Sequence, residues 1–317
     1  MDQHSRTITL SHELRITETD RPTILKNVTC PYCGILLTPE IDTEDHVVAR
    51  RLVPKGTMEG SWNLQIRACS PCNNRKATLE NDLSAITMQP DGLGNHAHDH
   101  PQLALEAARK GRATSVLTRK CVADSAATLC VNTEPIPGMK MTFNLWGPPQ
   151  TDPDRVRQLA WCQLRAIFYW LTYDETTRRG GFWQGPFCQL LESMKADWGN
   201  PVHLSFMRAV STWKPRLVSS TVAQGFFKVA VRRHPSATCW SWALEWNHNL
   251  RVVGFFGDSE AYTRVAADLS KLELQQVPTS DGQKLAVRTD VPLLEGDDIL
   301  FEVSPPPTEP SGLGSEP

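Results

Sequence analysis

Two Cys-x2-Cys pairs, Cys30/Cys33 and Cys69/Cys72, constrain this chain more than any other feature of its 317 residues. Thiolates at that spacing favour zinc, which takes four of them tetrahedrally and leaves no open position, so a structural zinc ion is expected there. Disulfides fit poorly, because residues 1–26 are polar and charged with no apolar leader, which points to a reducing, cytoplasmic setting. A thioredoxin-like redox pair fits poorly too, since neither pair sits in a strand–helix–strand context. Cys121, Cys130, Cys162, Cys188 and Cys239 are scattered and read as ordinary thiols. A structural zinc ion contributes on the order of 10 kcal/mol of folding free energy, so a module this small is not expected to fold without it.

Polar residues fill the space between the pairs: Glu44-Asp45-His46, then Asn63-Leu64, then Asn73 directly behind Cys72. Histidine is the natural base near neutral pH. A hard cation such as Mg²⁺ or Mn²⁺ prefers oxygen ligands, which Asp45 and Asn73 can supply. Together these groups suit hydrolysis of a phosphodiester, which needs an activated water and neutralised phosphate charge. The net charge of −2 exerts no global pull on nucleic acid. Locally, however, six basic residues (Arg50, Arg51, Lys55, Arg67, Arg75, Lys76) meet one acid, Glu59, between His46 and Leu79. A strand ending near Val47, a second short strand over 63–67 and a helix over 71–83 with Ser70 as N-cap are expected. On a regular strand Asp45 and His46 would face opposite ways, so the chain must bend there for both to serve one site.

Residues 29–80 resemble the zinc-bearing branch of the HNH endonuclease family, which has a ββα-metal fold. The resemblance rests on Cys30/Cys33, Asp45-His46, Asn63-Leu64 and Cys69/Cys72-Asn73 followed by Lys76. It implies that His46 is the general base, that Asp45 and Asn73 hold one catalytic divalent ion, and that Asn63 braces the loop near His46. It further implies phosphate contact by Arg75 or Lys76, with 5′-phosphate and 3′-hydroxyl products. Two departures stand out. Val47–Pro54 replaces the family's proline and serine after the histidine, and Gly60-Ser61-Trp62 replaces its Gly-Gly.

The chain divides into an N-terminal arm (1–28), the module (29–90), a polar linker (91–100), a larger mixed α+β domain (101–304) and a disordered tail (305–317). In the larger domain, helices are expected from Asp152-Pro153 onward and over 185–195, 203–212 and 259–272. Strands are expected over 223–232, 238–246 and 251–256, with two weaker ones after 272. The fold class is therefore α+β: a small ββα-metal zinc module followed by a larger mixed domain. No membrane span is expected. The expected function is DNA cleavage by the module, with Arg50, Arg51, Lys55, Arg75 and Lys76 on nucleic acid. The larger domain would serve targeting or regulation, in bacterial defence or a mobile element. The competing expectations are a non-catalytic zinc-stabilised nucleic-acid binder, or a ligand or protein sensor whose output is the nuclease.

Overall fold

The computed structural model describes residues 14–17, 20–278, 284–294 and 296–302; the expected tail at 305–317 and residues 1–13 of the arm lie outside these. The first short strand, β1 (Leu14–Arg15), joins a sheet described below. Next come β2 (Thr23–Ile24), β3 (Asp42–His46) and β4 (Leu64–Cys69), a three-stranded sheet in the order β2-β4-β3 that leads directly into α1 (Ser70–Thr87). In β4 the residues alternate: Leu64, Ile66 and Ala68 are buried, while Gln65 and Arg67 are half-buried. The helix opens one residue earlier than expected, with Cys69 as N-cap and Pro71 in the first turn. It also runs past residue 83, because Ile86 continues the buried stripe of Leu79 and Leu83 at helical spacing.

The rest of the chain supplies α2 (Pro101–Lys110), a hairpin of β5 (Ala126–Ile136) and β6 (Met139–Pro149), α3 (Pro153–Leu171), β7 (Phe187–Met194) and α4 (Pro201–Ser211). Then follow β8 (Lys214–Ser219), β9 (Phe227–Arg233), β10 (Cys239–Trp246), β11 (Leu250–Gly257), α5 (Ser259–Ala267), β12 (Gln275–Pro278) and β13 (Lys284–Val287). The main sheet has the order β1-β8-β9-β10-β11-β7. Every residue of β10 and β11 is buried, because both faces of the sheet are covered. Trp240, Trp242, Leu244 and Trp246 point to the face where Leu164 and Phe168 of α3 pack. Cys239 and Ala243 point the other way, towards Phe206 and Val210 of α4 and Ala261 of α5. Helices thus pack on a mostly antiparallel sheet, the α+β class.

Residues 185–195 differ from expectation. Their Gln-Leu-Leu-Glu run suits a helix locally, yet it forms β7, paired antiparallel with β11 from Met194–Leu250 to Phe187–Phe256. An unpaired β11 would leave a row of buried backbone groups unsatisfied, and this outweighs local propensity. Gly185 permits the close approach, since a Cβ there would lie 2.1 Å from the Gly257 carbonyl oxygen.

The apolar core runs across the expected boundary at residues 91–100. One cluster contains Leu64, Leu79 and Leu83 together with Leu164, Phe168 and Trp246. Polar bonds reinforce the junction: Arg155 Nε donates to Asp82 Oδ2 (3.0 Å), and Asn247 Nδ2 donates to the Leu52 carbonyl (2.9 Å) and to Thr87 Oγ1 (2.8 Å). Nor is the His-rich segment a free linker. His98 stacks on His248 with ring centroids 4.4 Å apart, and Phe226 meets the rings of His98, His100 and His248 edge-on. Among the described residues no helix is long and apolar enough to cross a membrane.

His203 in α4 yields a pH prediction. It is fully buried, and neither ring nitrogen has a partner among the described residues. Burial, with Arg251 nearby, lowers its pKa from 6.5 to about 3. The unfolded chain therefore takes up this proton first, and stability falls as pH drops from 6.5 towards 3. The loss from this one group approaches about 1.4 kcal/mol per pH unit. Urea unfolding of His203→Leu at pH 7 and pH 5 should show a smaller acid loss than the native chain. Equal losses would contradict the assignment.

Candidate active site and metal centre

The candidate metal centre is built from two turns. The first follows β2: the Gly34 amide donates to the Cys30 carbonyl and the Cys30 amide to the Ile35 carbonyl, both at 2.8 Å. Gly34 takes φ +80°, which suits glycine. The second turn is the start of α1, which carries Cys69 and Cys72. The Sγ atoms of Cys30, Cys33, Cys69 and Cys72 all lie within 4.8 Å of one another, with Cys33 and Cys69 at 3.6 Å. Tetrahedral thiolates about 2.3 Å from zinc stand roughly 3.8 Å apart, so the cluster fits that ion. Burial pushes the Cys30 thiol up to about 11, so a cation beside it favours its thiolate. Among the described residues this is the one group of Cys, His, Asp and Glu side chains that converges so.

Beside this cluster lies a cleft of about 320 Å³ lined by Glu44, Asp45, His46, Asn73, Glu80 and the two arginines Arg50 and Arg51. Strand β3 ends at His46 and the chain bends over residues 47–48, which lets Asp45 and His46 reach one space. Asn63 is buried and holds that bend from both sides: its Nδ2 donates to the Val48 carbonyl (2.7 Å) and its Oδ1 accepts from the Val48 amide (3.3 Å). Burial, then Arg50, hold His46 below its ordinary pKa against the pull of Asp45. Its imidazole is therefore neutral at pH 7, the form that accepts a proton. Asn73 in the first turn of α1 donates through Nδ2 to Thr43 Oγ1 and to the Glu44 carbonyl, both at 3.1 Å. These bonds use its nitrogen and not its carboxamide oxygen.

Asp45 is 6% exposed. The Tyr32 hydroxyl donates to its Oδ2, and Lys76 Nζ donates to its Oδ1 at 3.0 Å. A carboxylate offers about four lone-pair sites, so roughly two remain for a cation. Lys76 corrects the sequence expectation. Rather than reaching phosphate, it is 1% exposed and ion-paired to Asp45 (3.0 Å) and Glu80 (2.8 Å), with the His46 carbonyl as a third partner at 2.7 Å. The helical period explains this, because Lys76 lies one turn beyond Cys72 on the face turned towards the small sheet. Burial opposes its charge, but Glu80 and Asp45 outweigh burial and raise its pKa. Lys76→Met would strand two carboxylates and should cost about 3–5 kcal/mol in urea unfolding. A lysine serving only as a surface contact would cost within about 0.5 kcal/mol.

Of the other basic candidates, Arg50, Arg51, Lys55 and Arg75 are exposed. Arg50, Arg51 and Lys55 also line a second cleft of about 420 Å³, where Arg109 of α2 joins them. Arg67 is occupied by Asp42 (2.7 Å) and Glu44 (3.1 Å). Glu80 shares the helix face of Asn73 and Lys76 that the sequence spacing predicts, whereas nothing in the sequence marks Tyr32, and Arg109 lies on α2, where no helix is expected. No protein-family model, curated protein or solved structure matches this chain.

Proposed function

We propose that this protein is a metal-dependent endonuclease of the HNH type that hydrolyses DNA phosphodiester bonds. The observation that carries this reading is the shared cleft: Asp45, His46 and Asn73 line one space beside a four-cysteine cluster. Asn63 holds the connecting bend. Asp45 and Asn73 would hold a Mg²⁺ or Mn²⁺ ion through oxygen, and such an ion supplies charge neutralisation at the phosphate and the leaving oxygen. His46 takes the proton of the attacking water. Arg50 and Arg51, at the rim, orient the phosphate and offset its charge. The hydroxide attacks phosphorus, the bond from phosphorus to the 3′-oxygen breaks, and that oxygen takes a proton from solvent water, which leaves a 5′-phosphate and a 3′-hydroxyl. The four thiolates would hold zinc in a closed shell and take no part in the chemistry.

Supercoiled plasmid incubated with purified protein should be nicked or linearised with Mg²⁺ or Mn²⁺ present, and left intact with EDTA. Asn73→Ala should raise the ion concentration needed for half-maximal rate. Cutting that persists in EDTA would contradict the reading, and binding without cutting under every ion would favour a non-catalytic zinc-stabilised nucleic-acid binder.

A further inference from the structure

The segment between the first two cysteines reads Cys30-Pro31-Tyr32-Cys33, and its tyrosine is not at the surface. Tyr32 is 2% exposed and sits in the same apolar cluster as Cys30, Cys69, Cys72 and Leu79. Its hydroxyl donates to Asp45 Oδ2, thirteen residues away on β3. Packing alone would be served equally well by phenylalanine. A hydroxyl aimed at a buried carboxylate does something further. The terminal torsion of an aspartate is broad and roughly two-fold, so one donor leaves the carboxylate plane loosely held. Here the oxygens have different donors, Tyr32 on Oδ2 and Lys76 on Oδ1, and together they fix the plane. Lys76 is anchored in turn by Glu80 and by the His46 carbonyl. On the other side, Tyr32 cannot shift without moving the cysteines that flank it.

We infer that Tyr32 is a positioning residue that ties the four-sulfur cluster to the Asp45 carboxylate and so sets the cation affinity of the cleft. This rests on the reading of Asp45 as a cation ligand. Removing a partner that orients a metal-ligating carboxylate typically weakens the ion about 10–100-fold, and Tyr32→Phe removes one such bond while keeping the ring.

The test is direct titration of Mn²⁺, followed by electron paramagnetic resonance, on the zinc-loaded full chain and on Tyr32→Phe, Asp45→Asn and Asn73→Ala. Zinc content and urea midpoint are measured alongside. Tyr32→Phe should keep its zinc and weaken Mn²⁺ at least tenfold. Asp45→Asn and Asn73→Ala should weaken it further. If those two variants lower the affinity but Tyr32→Phe matches the native chain, the coupling is wrong while the ligand assignment stands. If neither variant alters Mn²⁺ binding, or the native chain binds none, the ligand assignment fails and the coupling fails with it. Loss of zinc from Tyr32→Phe would reduce Tyr32 to a structural part of the knuckle and also overturn the inference.

Discussion

Cys30→Ser is expected to yield a chain that binds no zinc and does not hold its N-terminal half folded. Three sulfurs remain, but the closed tetrahedral shell is lost. A structural zinc site carries on the order of 10 kcal/mol of folding free energy. Whole domains are stable by only about 5–15 kcal/mol, so a loss of that size is not absorbed. The effect should also spread. Cys30, Cys69 and Cys72 belong to the apolar cluster that includes Leu164 and Phe168 of α3 and Trp246 of the main sheet. Limited proteolysis should therefore open cuts in α3 as well as in the segment between the cysteine pairs. Zinc analysis by atomic absorption checks the cause. A zinc-free variant with native protease resistance would show that the sulfurs are not what holds this region together.

Much of this region was legible from residues alone. The four cysteines fall together because their spacing is set by turns that local chemistry dictates: Gly34 after the first pair, and Pro71 opening the helix that carries the second. Asn63, one strand before the helix, bonds to both backbone groups of Val48, next to the His46 that the resemblance has it brace. What was not legible came from long-range pairing. Residues 187–194 carry a helix-forming composition, and only the need of β11 for a neighbour makes them a strand. The boundary at 91–100 looked like a linker because its residues are polar, yet histidine rings also stack and pack on a phenylalanine. Lys76 was misplaced for a similar reason. A lysine in a basic run reads as solvent-facing, and nothing in the run reveals that Asp45 and Glu80 close around it from another strand and the next helical turn.

The buried trio also explains how a carboxylate with little exposure could still attract a cation. Lys76 alone would neutralise Asp45, but its ammonium is shared with Glu80 at 2.8 Å, and Asp45 borders the cleft. Arg51 stands 3.6 Å from Glu80 at the rim, where a phosphate could draw it away.

As a nuclease the protein would depend most on His46, whose ring lines the cleft beside Asp45 and Asn73. A positioned general base typically contributes about 10²–10⁴-fold to rate, so His46→Ala should lose that much cleavage. It has no bond to the sulfur cluster, so zinc content should stay native. The ring is half-buried and lines the cleft, so the urea midpoint should move little. The decisive measurement is the initial rate of plasmid cleavage at saturating Mg²⁺ for the native chain and His46→Ala, matched in zinc content and midpoint. A fall of at least about a hundredfold is the predicted result; equal rates from two equally folded, zinc-loaded proteins would contradict it.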